Sequence, residues 1–189
     1  MELEFHPYPK THRWNRDIFI SEKLDGTNAG VVILEDGTVY AQSRKRVITP
    51  EHDNYGFAAW VEENKDTLQD ILGVGVHFGE WWGKGINRGY ELSHRQFSLF
   101  NLSRWYKDPS SRLKMTSSDI NIDIVPCLYA GPVSEHAITD CLDDLRVYGS
   151  YAAPNYMRPE GVVIYHTHAN TLFKVTLEND EQHKWQVAS

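Results

Sequence analysis

The stretch Glu22-Lys23-Leu24-Asp25-Gly26-Thr27-Asn28 lies between two apolar segments that predict strands. Asp17-Ile18-Phe19-Ile20 predicts a strand over 17–22, and Val31-Val32-Ile33-Leu34 belongs to a second predicted strand over 29–35. A lysine therefore stands where the first strand ends, close to a glycine that lets the backbone turn tightly or approach a ligand. The alternative interpretation of the stretch is an ordinary polar turn.

A lysine in such a turn can act as a covalent catalyst through its amine. It becomes nucleophilic when its pKa falls, either by desolvation or because cations lie nearby. Attack of the amine on the α-phosphate of a nucleotide would give a lysine–nucleotide phosphoramidate. That reaction also requires a metal and basic groups around the phosphates, because charge stabilisation dominates phosphoryl-type transfer. The rest of the chain has to supply those groups.

Length and composition predict a single domain with a sizeable core. The chain has 189 residues and a formal net charge of −7, which argues against nonspecific nucleic-acid binding over the whole surface but leaves room for a local basic groove. No apolar run is long enough to cross a membrane, and the N-terminus lacks a signal-peptide pattern. Cys127 and Cys141 have neither metal-type spacing nor a disulfide framework, which favours a cytoplasmic location.

Two basic segments lie near the beginning of the chain. Pro7 and Pro9 make residues 1–16 extended or loop-like, and the cations around Trp14 in this segment are interpreted as a solvated lead-in. These cations are Lys10, His12, Arg13 and Arg16. Asp36-Gly37 predicts a hairpin turn, and its return strand over 39–42 leads into Ser43-Arg44-Lys45-Arg46. Arginine suits phosphate recognition, so the second segment is predicted to fold back beside Lys23, with a solvated edge as the alternative.

The middle of the chain predicts a helix followed by a strand with a buried acid. Apolar spacing predicts one amphipathic helix over 55–72 that ends at Gly73. Residues 74–82 predict a strand in which Glu80 lies among apolar neighbours, so its carboxylate needs either a salt-bridge partner or a ligand hydroxyl. The glycine-rich loop 83–89 lacks the spacing of a Walker motif and is only a weak candidate for a phosphate cradle.

The second half predicts further strands, one clear helix and a long irregular segment. Strands are predicted over 96–102, 123–129, 160–165 and 172–175, an irregular and mobile segment over 103–122, a loop over 150–159 and a charged helix over 177–185. Ser134 is the predicted N-cap of a helix that ends at Tyr148, before Gly149. His166 and His168 alternate along a strand, and surface polarity is favoured over a metal site for this pair.

Five motifs in this order resemble the covalent nucleotidyltransferases, which comprise the polynucleotide ligases and the mRNA capping enzymes. The motifs are Glu22-Lys23-x-Asp25-Gly26-Thr27-Asn28, Ser43-Arg44, Phe78-Gly79-Glu80, Glu160-Gly161-Val162-Val163 and Phe173-Lys174. The Thr27-Asn28 extension and Gly83-x-Gly85-Ile86 are most similar to ATP-dependent RNA ligases of the phage nick-sealing and RNA-editing types. The resemblance covers roughly residues 17–177.

The resemblance implies roles for residues at the phosphate end of an ATP site. Lys23 matches the nucleophile that becomes linked to AMP, and Asn28 matches an asparagine required near the phosphate. Arg44 matches the arginine that contacts the nucleotide and the reacting end, and Lys174 matches a lysine on the α-phosphate. Glu160 matches the carboxylate linked to the catalytic metal, Mg²⁺ or Mn²⁺.

The resemblance also implies the residues around the nucleoside. The backbone of Glu22 is expected against the adenine, Glu80 on a ribose hydroxyl and Phe100 stacked on the base, since every purine face accepts an aromatic ring. The family often has a second lysine where this chain has Thr176, and Lys184 is a candidate substitute.

The implied fold is α+β, with antiparallel sheets flanked by a few helices around an ATP pocket. Residues 1–189 are expected to form one adenylation domain without an appended C-terminal domain. The implied function is an ATP-dependent RNA ligase that joins RNA ends, with a nicked duplex as one possible substrate and no membrane partner. The alternatives are a DNA ligase, a capping-type guanylyltransferase, or a nucleotide- or RNA-binding module that has lost turnover.

Overall fold

Ten strands and five α-helices form between residues 4 and 178, the part of the chain that the computed structural model describes. The strands are β1 Asp17–Lys23, β2 Thr27–Ile33, β3 Val39–Ser43, β4 Val47–Ile48, β5 Gly75–Gly83, β6 Arg95–Leu99, β7 Ile122–Ile124, β8 Cys127–Pro132, β9 Gly161–His166 and β10 Thr171–Thr176. The helices are α1 Phe57–Glu63, α2 Lys65–Leu72, α3 Leu102–Trp105, α4 Pro109–Ser117 and α5 Glu135–Tyr148.

Two sheets share these strands, and the predicted α+β fold with antiparallel sheets is confirmed. One sheet has the order β10-β9-β1-β8, and every pair in it is antiparallel. The other has the order β4-β3-β2-β5-β6-β7, in which only β6 and β7 are parallel. Because β1 and β2 lie in different sheets, residues 24–26 cross from one sheet to the other.

Three apolar clusters form the core. The six-stranded sheet packs on α1 and α2 through Val31, Phe57, Leu68 and Phe97 among others. The four-stranded sheet packs on α5, which Ser134 caps by accepting a hydrogen bond from the backbone N–H of Ala137. A third cluster joins the sheets around the crossing segment, and its members include Leu24, Trp82, Tyr90 and Tyr156. The crossing segment, residues 24–26, is therefore supported by a packed apolar cluster between the two sheets.

The predicted helix over 55–72 is wrong in one respect, because two helices occupy it. Asn64 separates α1 from α2 with φ −114° and ψ 14°, and its side-chain amide donates to the carbonyl of Trp60 at 2.7 Å. This local hydrogen bond competes with the helical pattern, as asparagine side chains commonly do. The apolar face continues across the break, so periodicity alone does not reveal it.

The predicted irregular segment over 103–122 is also wrong, because α3 and α4 form there. Asn101 and Asp108 accept hydrogen bonds from the backbone N–H groups of Arg104 and Ser111, and so cap the two helices. Only Leu102, Trp105 and Met115 are buried on them, too few apolar residues to produce a helical period. The single strand predicted over 123–129 is divided at Val125-Pro126 into β7 and β8, which lie in different sheets.

Most of the predicted C-terminal helix over 177–185, including Lys184, lies outside the described residues. Leu177 and Glu178, its first two residues, form a bend. No helix within residues 4–178 combines the length and apolar character needed to cross a membrane.

Candidate active site

Lys23 ends β1 and points toward an acidic partner from another strand. Lys23 pairs with Gly161 across β1 and β9, so Glu160, the residue before Gly161, lies beside it. Lys23 Nζ donates to Glu160 Oε2 at 2.5 Å, and the two side chains are 22% and 18% exposed. This pairing brings together two predicted site residues that are 137 positions apart in the chain. The Glu160 carboxylate is therefore close enough to accept a proton from the partly desolvated Lys23 amine.

The turn after Lys23 is braced by the glycine-rich loop. Asn87 and Arg88 donate to the two carboxylate oxygens of Asp25, both at 3.0 Å, and the backbone N–H of Asp25 donates to the Tyr90 hydroxyl at 2.8 Å. Asn87 also donates to the carbonyl of Gly26 at 2.7 Å. The loop therefore positions the lysine turn, a role that the weak resemblance to a phosphate cradle did not predict. Sequence reasoning missed these three residues as site supports.

Gly26 is required because the crossing segment touches β5. A Cβ at this position would lie 2.4 Å from the carbonyl oxygen of Trp81 and 2.6 Å from the Cβ of Trp82. Neither atom is at the end of a flexible side chain, so any other residue would push the turn away from β5. The glycine thus holds the turn against the strand that carries Glu80.

Glu80 has partners from the same turn. Its carboxylate accepts hydrogen bonds from the backbone N–H of Gly26 at 3.1 Å and from the side-chain amide of Asn28 at 2.9 Å. Burial nevertheless raises the pKa of Glu80 to about 7, against the lowering effects of the Asn28 hydrogen bond and the Lys23 charge. Asn28 therefore lies on Glu80 in this structure, where the resemblance implied a place near the phosphate.

A cleft of about 800 Å³ separates the two sheets and is lined by every predicted site residue except Glu160. These residues are Glu22, Lys23, Asn28, Arg44, Glu80, Phe100 and Lys174 on its walls, with Glu160 in contact with Lys23. Its volume is in the range of small-molecule sites. Lys23, Arg44 and Lys174 give it cationic walls, and the prediction that Arg44 folds back toward Lys23 is consistent with this placement.

One end of the cleft is apolar and open. Val76, Phe78 and Phe100 line it and remain 50%, 53% and 39% exposed. The backbone N–H of Phe100 donates to the carbonyl of Phe78 at 3.0 Å, which ties the end of β6 to β5. Phe78 and Val76 were missed by the sequence reasoning. Their signal is the alternation of β5, which places Val76, Phe78 and Glu80 on one face of the strand.

The Glu22 side chain binds the backbone of the loop that follows α5. Its Oε2 accepts hydrogen bonds from the backbone N–H groups of Tyr151 and Ala152 at 2.8 and 3.0 Å, and burial raises its pKa. Glu22 also lines the cleft, and the place of its backbone against an adenine stays a prediction. A carboxylate that is 1% exposed and bound to two backbone donors anchors this loop.

The donors present fit one divalent cation held jointly with a phosphate. Within residues 4–178, no group of three or more His, Cys, Asp or Glu side chains is arranged to hold a metal ion. Mg²⁺ usually takes one or two carboxylates, with substrate phosphate oxygens and waters as the other ligands. Glu160, at the edge of the cationic cleft, suits that arrangement.

Two further sequence interpretations change with the structure. His166 is 2% exposed and its Nε2 lies 2.8 Å from the carbonyl oxygen of Trp14, so surface polarity was the wrong interpretation for it. His168, two residues later, is exposed. Thr176, which stands where the family often has lysine, donates through Oγ1 to the carbonyl of Glu178 at 2.9 Å.

The comparisons with known proteins agree with this geometry. A family model described as RNA ligase matches residues 16–176. No curated protein has a significant match to the sequence. A Naegleria gruberi RNA ligase variant with ATP and Mn has a TM-score of 0.62 and 17% identity, and the match covers 90% of this chain and 53% of that one.

An archaeal ATP-dependent RNA ligase gives a similar result. Its TM-score is 0.58 at 19% identity, over 91% of this chain and 48% of that one. A Naegleria gruberi RNA ligase variant with AMP and Mn has a TM-score of 0.60 at 19% identity, over 90% of this chain and 53% of that one. The chain thus spans about half the length of the solved structures that it matches. At these identities the structures establish a shared fold.

Proposed function

The chain belongs to the RNA ligase family, and we propose that it is an ATP-dependent RNA ligase that works through a covalent lysyl–AMP. The observation that carries the proposal is the Lys23–Glu160 contact beside a cleft with cationic walls and an apolar end. The described residues act as the adenylation domain of such an enzyme. Neighbours with ATP, AMP and Mn support the choice of nucleotide and of a divalent metal, Mg²⁺ or Mn²⁺.

In the first step Lys23 Nζ attacks the α-phosphorus of ATP. The N–P bond forms, the bond between the α-phosphorus and the bridging oxygen breaks, and pyrophosphate leaves. The attacking nitrogen has to lose a proton, and Glu160 Oε2, 2.5 Å away, is the base positioned to accept it. Glu160 would also be the protein ligand of a divalent cation, which would supply positive charge against the α-phosphate.

The remaining cleft residues bind and orient the nucleotide. Arg44 and Lys174 are exposed cations on opposite walls and neutralise phosphate oxygens. The apolar end formed by Val76, Phe78 and Phe100 takes the adenine, with Phe100 as the stacking ring. Glu80 accepts from a ribose hydroxyl, and Asn28 keeps its carboxylate turned toward the cleft.

In the second and third steps the AMP passes to RNA. A 5′-phosphate oxygen attacks the phosphorus of lysyl–AMP, the N–P bond breaks, and the amine of Lys23 regains its proton. A 3′-hydroxyl then attacks the activated 5′-phosphorus and loses its proton to water, a phosphodiester bond forms, the bond from that phosphorus to the AMP oxygen breaks, and AMP leaves. The substrate is RNA ends, including those at a nick in a duplex. The free thiols of Cys127 and Cys141 support a reducing cytoplasm as the place of action.

The test is incubation with α-labelled ATP and Mg²⁺, followed by denaturing electrophoresis. We expect label on the wild-type protein and none on Lys23→Ala, since the variant has no attacking amine. Lys45→Ala is the matched control, because Lys45 is exposed and does not line the cleft. Labelling of Lys23→Ala would show that another residue is the nucleophile. Absence of label from the wild type would favour a binding module, and labelling by GTP would favour capping chemistry.

A further inference from the structure

The N-terminal basic segment is fixed onto the turn between β9 and β10. The ring of Trp14 stacks on that of His166 with centroids 5.7 Å apart and planes 26° apart, and the carbonyl of Trp14 is bound to the same histidine. The rings of His12 and His168 meet edge-on at 5.7 Å. The backbone N–H of Val133 donates to the carbonyl of Arg16 at 2.9 Å. These contacts give the segment a defined place, so it is more than a solvated lead-in.

The fixed segment and the turn form a basic patch. We define the patch as Lys10, His12, Arg13, Arg16 and His168, with Trp14 as its aromatic member. Desolvation and then the charges of Lys10, Arg16, His12 and Arg13 lower the pKa of His168, and no acid contributes to that shift. None of the ion pairs among residues 4–178 includes a patch residue.

The patch concentrates positive charge on a chain whose overall balance is acidic. The protein has 26 acidic and 19 basic residues. Asp17, the acid next to the segment, uses its backbone carbonyl to accept from Thr167 and forms no ion pair with the patch within the described range. Trp14 is 62% exposed and Phe173, close by, 48%. Cations interleaved with exposed aromatic rings suit a nucleic-acid backbone with its bases.

The patch lies next to the active-site cleft. A cavity of about 200 Å³ beside it is lined by His12, Arg13, Trp14, His166, Ala169 and Phe173. Phe173 also lines the cleft, as do Asn170 and Leu172 of the same hairpin. Tyr165 of β9 lines the cleft and the next residue, His166, lines the smaller cavity, so the β9–β10 hairpin lies between the two. A chain leaving the cleft over the turn would meet the patch.

The distance from the patch to the nucleophile defines how much RNA is needed to reach it. β1 runs from Asp17, next to the patch, to Lys23 at the site, a separation of six residues. At roughly 3.4 Å per residue this is about 20 Å. A strand of B-form DNA rises roughly 3.4 Å per nucleotide and an A-form RNA strand rises less, so at least about six nucleotides of duplex span the distance.

We propose that this patch binds the backbone of the RNA strand whose 5′-phosphate reacts at Lys23, several nucleotides from that end. The proposal rests on the proposed ligase function for the identity of the strand. It assigns the patch to substrate capture and gives it no part in the transfer of AMP to Lys23. Loss of the patch should therefore weaken the binding of longer RNA and leave protein–AMP formation unchanged.

The test compares two triple variants that remove the same charge. Lys10→Ser/Arg13→Ser/Arg16→Ser removes the patch, and Lys65→Ser/Arg112→Ser/Arg146→Ser removes three cations that line neither cavity. Fluorescence anisotropy measures the Kd of each protein for 5′-phosphorylated RNA of four and of eighteen nucleotides. Labelling with α-labelled ATP in the absence of RNA measures protein–AMP formation.

We expect the patch variant to bind the longer RNA at least tenfold more weakly and the shorter RNA as the wild type does. The slope of log affinity against log salt concentration should be shallower by about two for this variant, since each of its three lost contacts to a single strand contributes roughly 0.7. A loss below twofold for the longer RNA, or an equal loss in the control variant, would overturn the proposal. If the wild type is labelled and the patch variant binds the longer RNA as the wild type does, the role of the patch is refuted and the ligase mechanism is not. If the wild type is not labelled but the patch variant binds the longer RNA more weakly, the ligase mechanism is refuted and RNA binding by the patch is not.

Discussion

Glu80 shows how a single residue couples the lysine turn to the cleft between the sheets. Its carboxylate accepts from Gly26 and Asn28, both in the stretch that carries Lys23, and it lines the cleft between the sheets. The sequence predicted that a carboxylate in an apolar strand needs a partner. It did not predict that the partners come from the turn that carries Lys23, because those contacts join residues 52 and 54 positions apart.

The raised pKa of Glu80 predicts a specific pH dependence of stability. In the folded state the pKa is about 7, above the ordinary value of 4.5, so the folded protein binds this proton more tightly than the unfolded chain. The contribution of this bound proton to the unfolding free energy is fully present below pH 4.5 and is lost as the pH rises through 7. The wild type should therefore lose up to about 3 kcal/mol relative to Glu80→Gln over that interval.

Urea unfolding at several pH values measures this difference. The quantity compared is the slope of the unfolding free energy against pH, because Glu80→Gln also alters hydrogen bonds by a constant amount. Glu62→Gln is the control, since Glu62 is exposed in a surface ion pair and should follow the wild-type slope. Parallel curves for wild type and Glu80→Gln would show that Glu80 keeps its ordinary pKa in the folded protein.

Gly26→Ala should destabilise the protein by roughly 1–3 kcal/mol, the usual cost of overpacking a tight contact. The new methyl would meet the carbonyl oxygen of Trp81 and the Cβ of Trp82, which cannot move without β5. Gly30→Ala is the comparison, because its nearest contact is the Gln42 side chain at 3.0 Å, which can shift. Chemical denaturation of both variants measures the costs. An equal cost at the two positions would contradict this account of Gly26.

At the scale of elements, local patterns located the strands well and the pairing between them poorly. The hairpin of β2 and β3 followed from Asp36-Gly37, and α5 followed from Ser134 and Gly149. The placement of β1 between β8 and β9 depends on contacts with residues more than a hundred positions away, which no short pattern encodes. The division of 123–129 between two sheets was missed for the same reason.

We expect the loop 83–89 to act on catalysis through the turn that it braces. Arg88 donates to Asp25 and, at 3.1 Å, to the carbonyl of Arg158 two residues before Glu160, so it links the segments that carry Lys23 and Glu160. Arg88→Ala should slow protein–AMP formation about tenfold, because small misplacements of reacting groups have large effects on rate. The affinity for ATP should change little, since Arg88 does not line the cleft.

Single-turnover labelling at saturating ATP and Mg²⁺ gives the rate for this comparison. Arg146→Ala is the matched control, because it removes an exposed arginine whose ion pair with Asp143 lies on α5. Addition of free guanidinium should restore part of the rate if the lost brace is the cause. A wild-type rate in Arg88→Ala would mean that Asn87 and Tyr90 hold the turn without it.

At the scale of the whole molecule, the cleft depends on two sheets that meet at one short segment. Periodicity predicts a mixed α/β-containing domain and no more, because it does not say which strands share a sheet. The five ordered motifs predicted the fold and brought distant residues such as Lys23, Glu80 and Lys174 to one cleft. They did not predict the brace by Asn87 and Arg88 or the fixed N-terminal segment, which lie outside those motifs.

Because the cleft lies between the sheets, a nucleotide bound there should stabilise the folded protein as a whole. In a Lys23→Ala background, which prevents covalent transfer, ATP at about 100 times its Kd should add about 2.7 kcal/mol to the unfolding free energy. For a domain of this size that is a rise in Tm of roughly 5 to 11 °C.

Adding Phe100→Ala to the Lys23→Ala background should raise the ATP concentration needed for the same rise in Tm by roughly 5- to 150-fold, the equivalent of 1–3 kcal/mol for a base stack. Tyr148→Ala is the control, because Tyr148 is an exposed aromatic on α5 that does not line the cleft. If Phe100→Ala and Tyr148→Ala respond to ATP alike, the ring of Phe100 does not stack on the base.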